Sequence, residues 1–166
     1  ISGHDLHDLC DAAESAIIEG GGFGWVSVPP RQTLETYWRG VLLVPERTLF
    51  VGRLDGVIAG SAKLIRPTKN NEAQSHAASL TTNFVAPWAR GYVIGYDLIR
   101  AVEDQVRVDG FAVLNLDVRA TQEIAIALYD SLGFVRWAEN PHYARVGDEW
   151  VTGYYYYKVL NEEDCC

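Results

Sequence analysis

The sequence contains no methionine and only three cysteines, Cys10, Cys165 and Cys166. One falls inside a helical pattern and two are adjacent at the C-terminal end, a spacing that makes neither a disulfide framework nor a metal site. A reducing cytoplasm fits that usage, and no metal is expected. The missing methionine, an initiator included, points to a trimmed or engineered start, which limits what the terminus says about targeting. No run approaches the ~20 apolar residues of a membrane span, and no basic stretch leads into an apolar one near the N-terminus, so neither membrane insertion nor secretion is indicated. Basic residues are scarce as well: 14 Lys and Arg against 22 Asp and Glu give a formal charge of −8, and the cations are scattered. That argues against a nucleic acid partner. A cationic amine is compatible with such a surface, although acidic charge also serves solubility alone. Repeats, low-complexity tracts and long linkers are absent too, which leaves a single globular domain over residues 1–166.

What is present is strong periodicity. Leu6, Leu9, Cys10, Ala13, Ile17 and Ile18 recur at helical spacing until Gly20-Gly21-Gly22, so the pattern predicts a helix over 5–18. A second helix is predicted over 32–43, where Leu34, Tyr37, Trp38, Val41 and Leu42 share one face ahead of Pro45. Residues 48–54 and 57–65 are β-rich and flank Asp55-Gly56, the dipeptide of a tight hairpin. A polar loop over 66–75 and a strand over 77–85 complete a three-stranded meander. Ile94, Leu98, Ile99, Val102 and Val106 mark a long amphipathic helix within 90–108. The remainder reads as a strand over 111–118, a helix over 121–132 capped by Thr121, a strand over 134–137 and a last strand over 149–160. This order describes a mixed α/β domain with antiparallel and crossover connections in one sheet.

Two segments carry chemistry. A strand ending at Val85, a bend at Pro87 and the hexapeptide Arg90-Gly91-Tyr92-Val93-Ile94-Gly95 present several unpaired backbone N–H groups to an anion. Taken alone, the hexapeptide also describes an ordinary helix start with a turn glycine. The surrounding VAPWARGYVIGYDLI resembles the strand, bend and cofactor helix of the GNAT superfamily of N-acetyltransferases, whose pattern is Arg/Gln-x-x-Gly-x-Gly/Ala. Arg90 and Gly95 match its ends, and Val93 stands at its middle glycine. The second segment, QEIAIALYDSLGF over 122–134, is similar to the family's Asn-x-x-Ala-x-x-Leu-Tyr-x-x-x-Gly-Phe. Ala125, Leu128, Tyr129, Gly133 and Phe134 are in register, with Gln122 at the Asn position. Both come in the family's order, joined by FAVLNLDV, and the resemblance covers about residues 48–137.

The resemblance implies a GNAT-like mixed, largely antiparallel central sheet flanked by helices. It implies an N-acetyltransferase that moves an acetyl group from acetyl-CoA, its co-substrate, to a primary amine of a small molecule or protein, without a metal. The cofactor would lie between the strands 77–85 and 111–118, with its pyrophosphate on Arg90, Gly91, Tyr92, Val93, Ile94 and Gly95. Its pantetheine would run along residues 82–85, its acyl carbonyl near an N–H of Phe84 or Val85, and Gln122 would add a contact. Tyr129 stands at the family's general acid, a phenol whose ordinary pKa of ~10 keeps it protonated at neutral pH; the same ring also suits packing alone. The base is left open, with His142, Glu139 and Glu72 as candidates by location. Trp25, Tyr37, Trp38, Trp88, Trp137, Tyr143 and Trp150 are dense around the expected acceptor side, where they line a pocket or fill core. A non-catalytic acyl-CoA-binding or sensing domain is the competing class, prompted by Val93 and the open base. A homodimer is compatible with either.

Overall fold

Ser2 and Asp5 exchange hydrogen bonds, the Asp5 N–H to Ser2 Oγ at 3.1 Å and the Ser2 N–H to Asp5 Oδ2 at 3.2 Å. This capping box opens α1, Gly3–Ile18, in the computed structural model, which describes residues 2–21, 24–91 and 93–161. Helix α2, Arg31–Val41, starts after Pro30 without a side-chain cap. Arg31 reaches back to α1 instead, donating to Asp11 Oδ1 at 2.9 Å, Glu14 Oε1 at 3.0 Å and the His7 carbonyl at 3.0 Å. Leu34, Trp38 and Val41 then join Leu9, Ala13 and Ile17 in one buried apolar cluster, the stripe their spacing predicts.

Strands β1, Arg47–Leu54, and β2, Val57–Ile65, form the expected antiparallel hairpin. Asp55 at φ 52° and Gly56 at φ 82° supply the two left-handed residues of its turn. Strand β3, Ala77–Val85, ends close against Gly60 of β2: a Cβ there would lie 2.5 Å from the Phe84 carbonyl oxygen, so only glycine permits the approach. The remaining elements are α3 (Ile94–Val108), β4 (Val113–Arg119), α4 (Glu123–Ser131), β5 (Val135–Val146) and β6 (Glu149–Val159). The six strands follow the order β1-β2-β3-β4-β6-β5, with β3 and β4 parallel and the β1/β2, β4/β6 and β5/β6 pairs antiparallel.

Two elements differ from what the sequence pattern predicts. Thr121 does not cap α4; Gln122 does, with no side-chain cap bond. Strand β5 runs on to Val146 rather than stopping at Trp137, because it is the sheet's last strand and its register shifts between Asn140 and Ala144, which accommodates Pro141.

The residues group into two compact units, one of those up to 66 with Leu80–Val102, the other of Pro67–Ser79 with those from 103 on. The first contains the α1/α2 cluster together with Ile58, Phe84 and Ala86. The second buries Leu114, Leu116, Tyr129, Phe134 and Tyr156, and there Lys158 Nζ lies 3.0 Å from the fully enclosed Glu103 carboxylate. Among the described residues no helix is long and apolar enough to cross a membrane, and no group of three or more His, Cys, Asp or Glu is arranged to hold a metal ion.

Candidate active site

Where β3 ends, the Ala86 N–H donates to the Ala59 carbonyl at 2.7 Å, so the chain leaves the sheet from a fixed point. Residues Pro87–Ala89 make one 3₁₀ turn, and Gly91 then takes φ +89°, a conformation that side chains rarely tolerate. Helix α3 begins at Ile94, because the Val93 carbonyl accepts the first helical bond, from the Asp97 N–H at 2.9 Å. The N–H groups of Ile94, Gly95 and Tyr96 therefore have no acceptor within the helix.

Gly91 and Val93 are exposed and Gly95 is half-buried. Donors without helical acceptors at the positive end of a 15-residue helix suit an anion. The Arg90 guanidinium is engaged by the Glu19 carboxylate at the C-terminal cap of α1, which leaves the anion contact chiefly to the main chain. Asp97, in the first turn of α3, sets a like charge nearby. Tyr92, the remaining residue of the hexapeptide, lies outside the described residues.

Upstream, Thr82 has φ +52°, in the left-handed region that β-branched side chains avoid. Its neighbours hold it there. Ser61 Oγ donates to the Thr82 carbonyl at 3.2 Å, the Tyr37 hydroxyl lies 3.1 Å from Thr82 Oγ1, and Lys63 Nζ donates to the Tyr37 hydroxyl at 3.4 Å. Trp25 packs edge-on against the Tyr37 ring at 5.0 Å. A backbone outlier held by several partners in mid-strand re-aims main-chain and side-chain groups, and outliers of this kind cluster at ligand-binding and active sites in general. Next along the strand, Phe84 is buried with its ring 6.2 Å from Trp38, and Val85 is half-buried.

In the second unit, Tyr129 is buried on α4, its ring 5.8 Å from Phe134 and 5.9 Å from Tyr156. The motif's Gly133 takes φ +85°, which lets the Phe134 N–H turn back to the Tyr129 carbonyl at 3.1 Å. Gln122 is half-buried, and its carbonyl accepts from the Ile126 N–H at 3.0 Å. Tyr143 donates its hydroxyl to the Asp117 carboxylate; burial first, then that bond, raise the phenol above its ordinary range, so it stays protonated.

The three base candidates are exposed: Glu72 on a 3₁₀ turn, and Glu139 and His142 on β5, with the His142 ring 5.0 Å from Trp150. The aromatic set divides. Trp38 is core, Trp25 and Tyr37 belong to the polar cluster at Thr82, and Trp88, Trp137 and Trp150 are exposed. Sequence reasoning missed Ser61 and Lys63, and it placed Thr82 in the pantetheine segment without its left-handed conformation. The one visible signal was a lysine set in VIAGSAKLI, a run otherwise of small and apolar residues.

Comparison with known proteins adds an independent observation. Residues 12–134 match the family model described as the Acetyltransferase (GNAT) family. A protein of Azospirillum brasilense named an uncharacterized N-acetyltransferase in the hisH-hisA intergenic region is 67% identical over 118 residues, 71% of this chain and 70% of that protein. An N-acetyltransferase structure from Staphylococcus aureus Mu50 superposes with a TM-score of 0.82 at 17% identity, over 97% of this chain and 96% of that one. The Salmonella typhimurium acetyltransferase yncA, solved with its cofactor acetyl-CoA, gives a TM-score of 0.78 at 17% identity, over 98% of this chain and 92% of that one. At such identities both structures show the shared fold.

Proposed function

This chain belongs to the GNAT family of N-acetyltransferases, and from that membership we propose how its own residues carry out acetyl transfer to a primary amine of a small molecule or protein. The observation that carries the reading is the start of α3, where exposed Gly91 and Val93 precede three N–H groups with no helical acceptor. In this reading the main chain of residues 90–95 holds the pyrophosphate of acetyl-CoA, and Gln122 adds a contact. When bound, acetyl-CoA supplies the thioester whose acyl group is transferred.

An N–H of Phe84 or Val85, on the strand segment set by the Thr82 distortion, polarises the acyl carbonyl. A neutral amine attacks the carbonyl carbon as the carbon–sulfur bond breaks, and Tyr129 gives its phenolic proton to the departing sulfur. The proton the nitrogen sheds on becoming an amide passes to water, from which the Tyr129 phenolate regains its own. A phenol suits that role in general, because its ordinary pKa of ~10 leaves it a proton to give at neutral pH. We read residues 1–166 as one acyltransferase domain acting in the cytoplasm, the compartment that fits three cysteines without a disulfide spacing.

The test is release of free CoA thiol from acetyl-CoA against a panel of primary amines, run beside calorimetric titration of CoA. Acceptor-dependent thiol release supports the assignment. Tight CoA binding with no acceptor-dependent release from any amine would convert the chain to an acyl-CoA-binding module.

A further inference from the structure

Lys63 stands where an apolar side chain belongs. The β1/β2 register sets Leu49 opposite Lys63 and Val51 opposite Ser61, and Leu49 and Val51 both pack on the apolar cluster of α1 and α2. Lys63 is only 7% exposed. Its contacts among the described residues are neutral, the Tyr37 hydroxyl at 3.4 Å and the Tyr37 ring centroid at 5.5 Å, and it joins no ion pair there. Lys158 is treated differently: at 17% exposure it has the Glu103 carboxylate at 3.0 Å. An ammonium taken out of water with one long hydrogen bond is costly, and it has three N–H donors to satisfy. A carboxylate entering beside it would supply both the missing charge and the missing acceptors.

The cluster also has an address. Tyr37, which receives the Lys63 bond, lies 3.1 Å from Thr82 Oγ1, and Thr82 is the left-handed residue of the strand segment on which the acyl carbonyl is placed. An anion held by Lys63 and Tyr37 would therefore belong to the acceptor, anchored a few bonds from its amine. We propose that Lys63, with the Tyr37 hydroxyl, anchors a carboxylate of the acceptor, so that this N-acetyltransferase selects amines of the amino acid class over amines without negative charge. The anchor makes and breaks no covalent bond; it orients the molecule whose amine attacks. The inference rests on the placement of acyl transfer at β3 proposed above.

The test compares L-leucine with L-leucinamide as acceptors, and separately titrates N-acetyl-L-leucine and its amide into the protein without acetyl-CoA. The wild type should favour the carboxylate acceptor in kcat/KM by about 10- to 100-fold, the worth of a hydrogen bond to a charged group. Lys63→Met, which fills an apolar site with an apolar chain, should bring that ratio near 1, and Lys63→Arg should restore most of it. N-acetyl-L-leucine should bind the wild type at least about tenfold more tightly than its amide, and Lys63→Met should lose the difference. A ratio unchanged in Lys63→Met, or wild-type titrations that do not separate acid from amide, overturns the anchor. If Lys63→Met does not fold, the wild-type titrations alone decide. Failure of acetylation on every acceptor with selective acid binding preserved would sink the acyl-transfer placement and leave the anchor standing; acetylation indifferent to the carboxylate would do the reverse.

Discussion

Gly60 offers the most exacting check on the strand geometry at the candidate site. A Cβ added there would stand 2.5 Å from the Phe84 carbonyl oxygen and 3.2 Å from Val85 Cα, both backbone atoms that cannot rotate away. To restore an ordinary contact, β2 and the end of β3 must separate by about 0.9 Å, which strains the Ala86 N–H bond to Ala59, 2.7 Å in the wild type. Overpacking of this kind costs about 1–3 kcal/mol, a fall in Tm of roughly 2–12 °C for a chain of this size. The same shift moves the Phe84–Val85 backbone, and a misplacement near 1 Å at a reacting group can cost about 10²-fold in turnover. Gly60→Ala should therefore lose both stability, by scanning calorimetry, and kcat in the CoA-release assay. Gly40→Ala is the control: nothing lies within 4 Å of its Cβ on α2, so it should be neutral or raise Tm slightly. A Gly60→Ala protein with wild-type Tm and turnover would refute the close approach and the role given to this backbone.

Other outcomes follow from local geometry. Val93 is the cap of α3, where glycine is better tolerated than valine, so Val93→Gly should keep Tm within a few degrees and hold or improve CoA affinity by calorimetry, whereas Gly95→Asp should weaken it by opposing the phosphate charge. At Asp5, the Arg53 guanidinium at 2.9 Å holds the carboxyl at about 2 against an ordinary 3.8. A depressed carboxylate stabilises the fold above its unfolded value and loses that contribution as pH falls, so the Tm gap between wild type and Asp5→Asn should be present at pH 5 and close between about pH 4 and 2.

Elements set by local signals were legible in the sequence. The hairpin at Asp55-Gly56, the limits of β2 and β3 and the apolar stripes of α1 and α2 each follow from turn chemistry or periodicity acting within a few residues. Features produced by tertiary contact were not. Thr82 adopts a conformation that its own side chain disfavours because Ser61 and Tyr37, distant in the chain, hold it there. The pairing of Arg90 with Glu19 is likewise invisible without the fold. Lys63 was visible as an odd residue in an apolar run, yet its enclosure depends on α2 bringing Tyr37 over β2. The family resemblance itself was legible because the segments that carry Arg90, Gly95, Gln122 and Tyr129 are each contiguous in the chain.

Tyr129→Phe isolates the proton donor, because it keeps a ring between Phe134 and Tyr156 and deletes only the hydroxyl. The measurement is steady-state acetyl transfer to the best acceptor, paired with acetyl-CoA affinity on the same preparation. Loss of a positioned acid predicts kcat lower by about 10²- to 10⁴-fold with affinity within a few-fold of wild type. Full turnover in Tyr129→Phe would remove Tyr129 from the chemical step, since the departing sulfur would then take its proton from elsewhere and Tyr129 would be a packing residue.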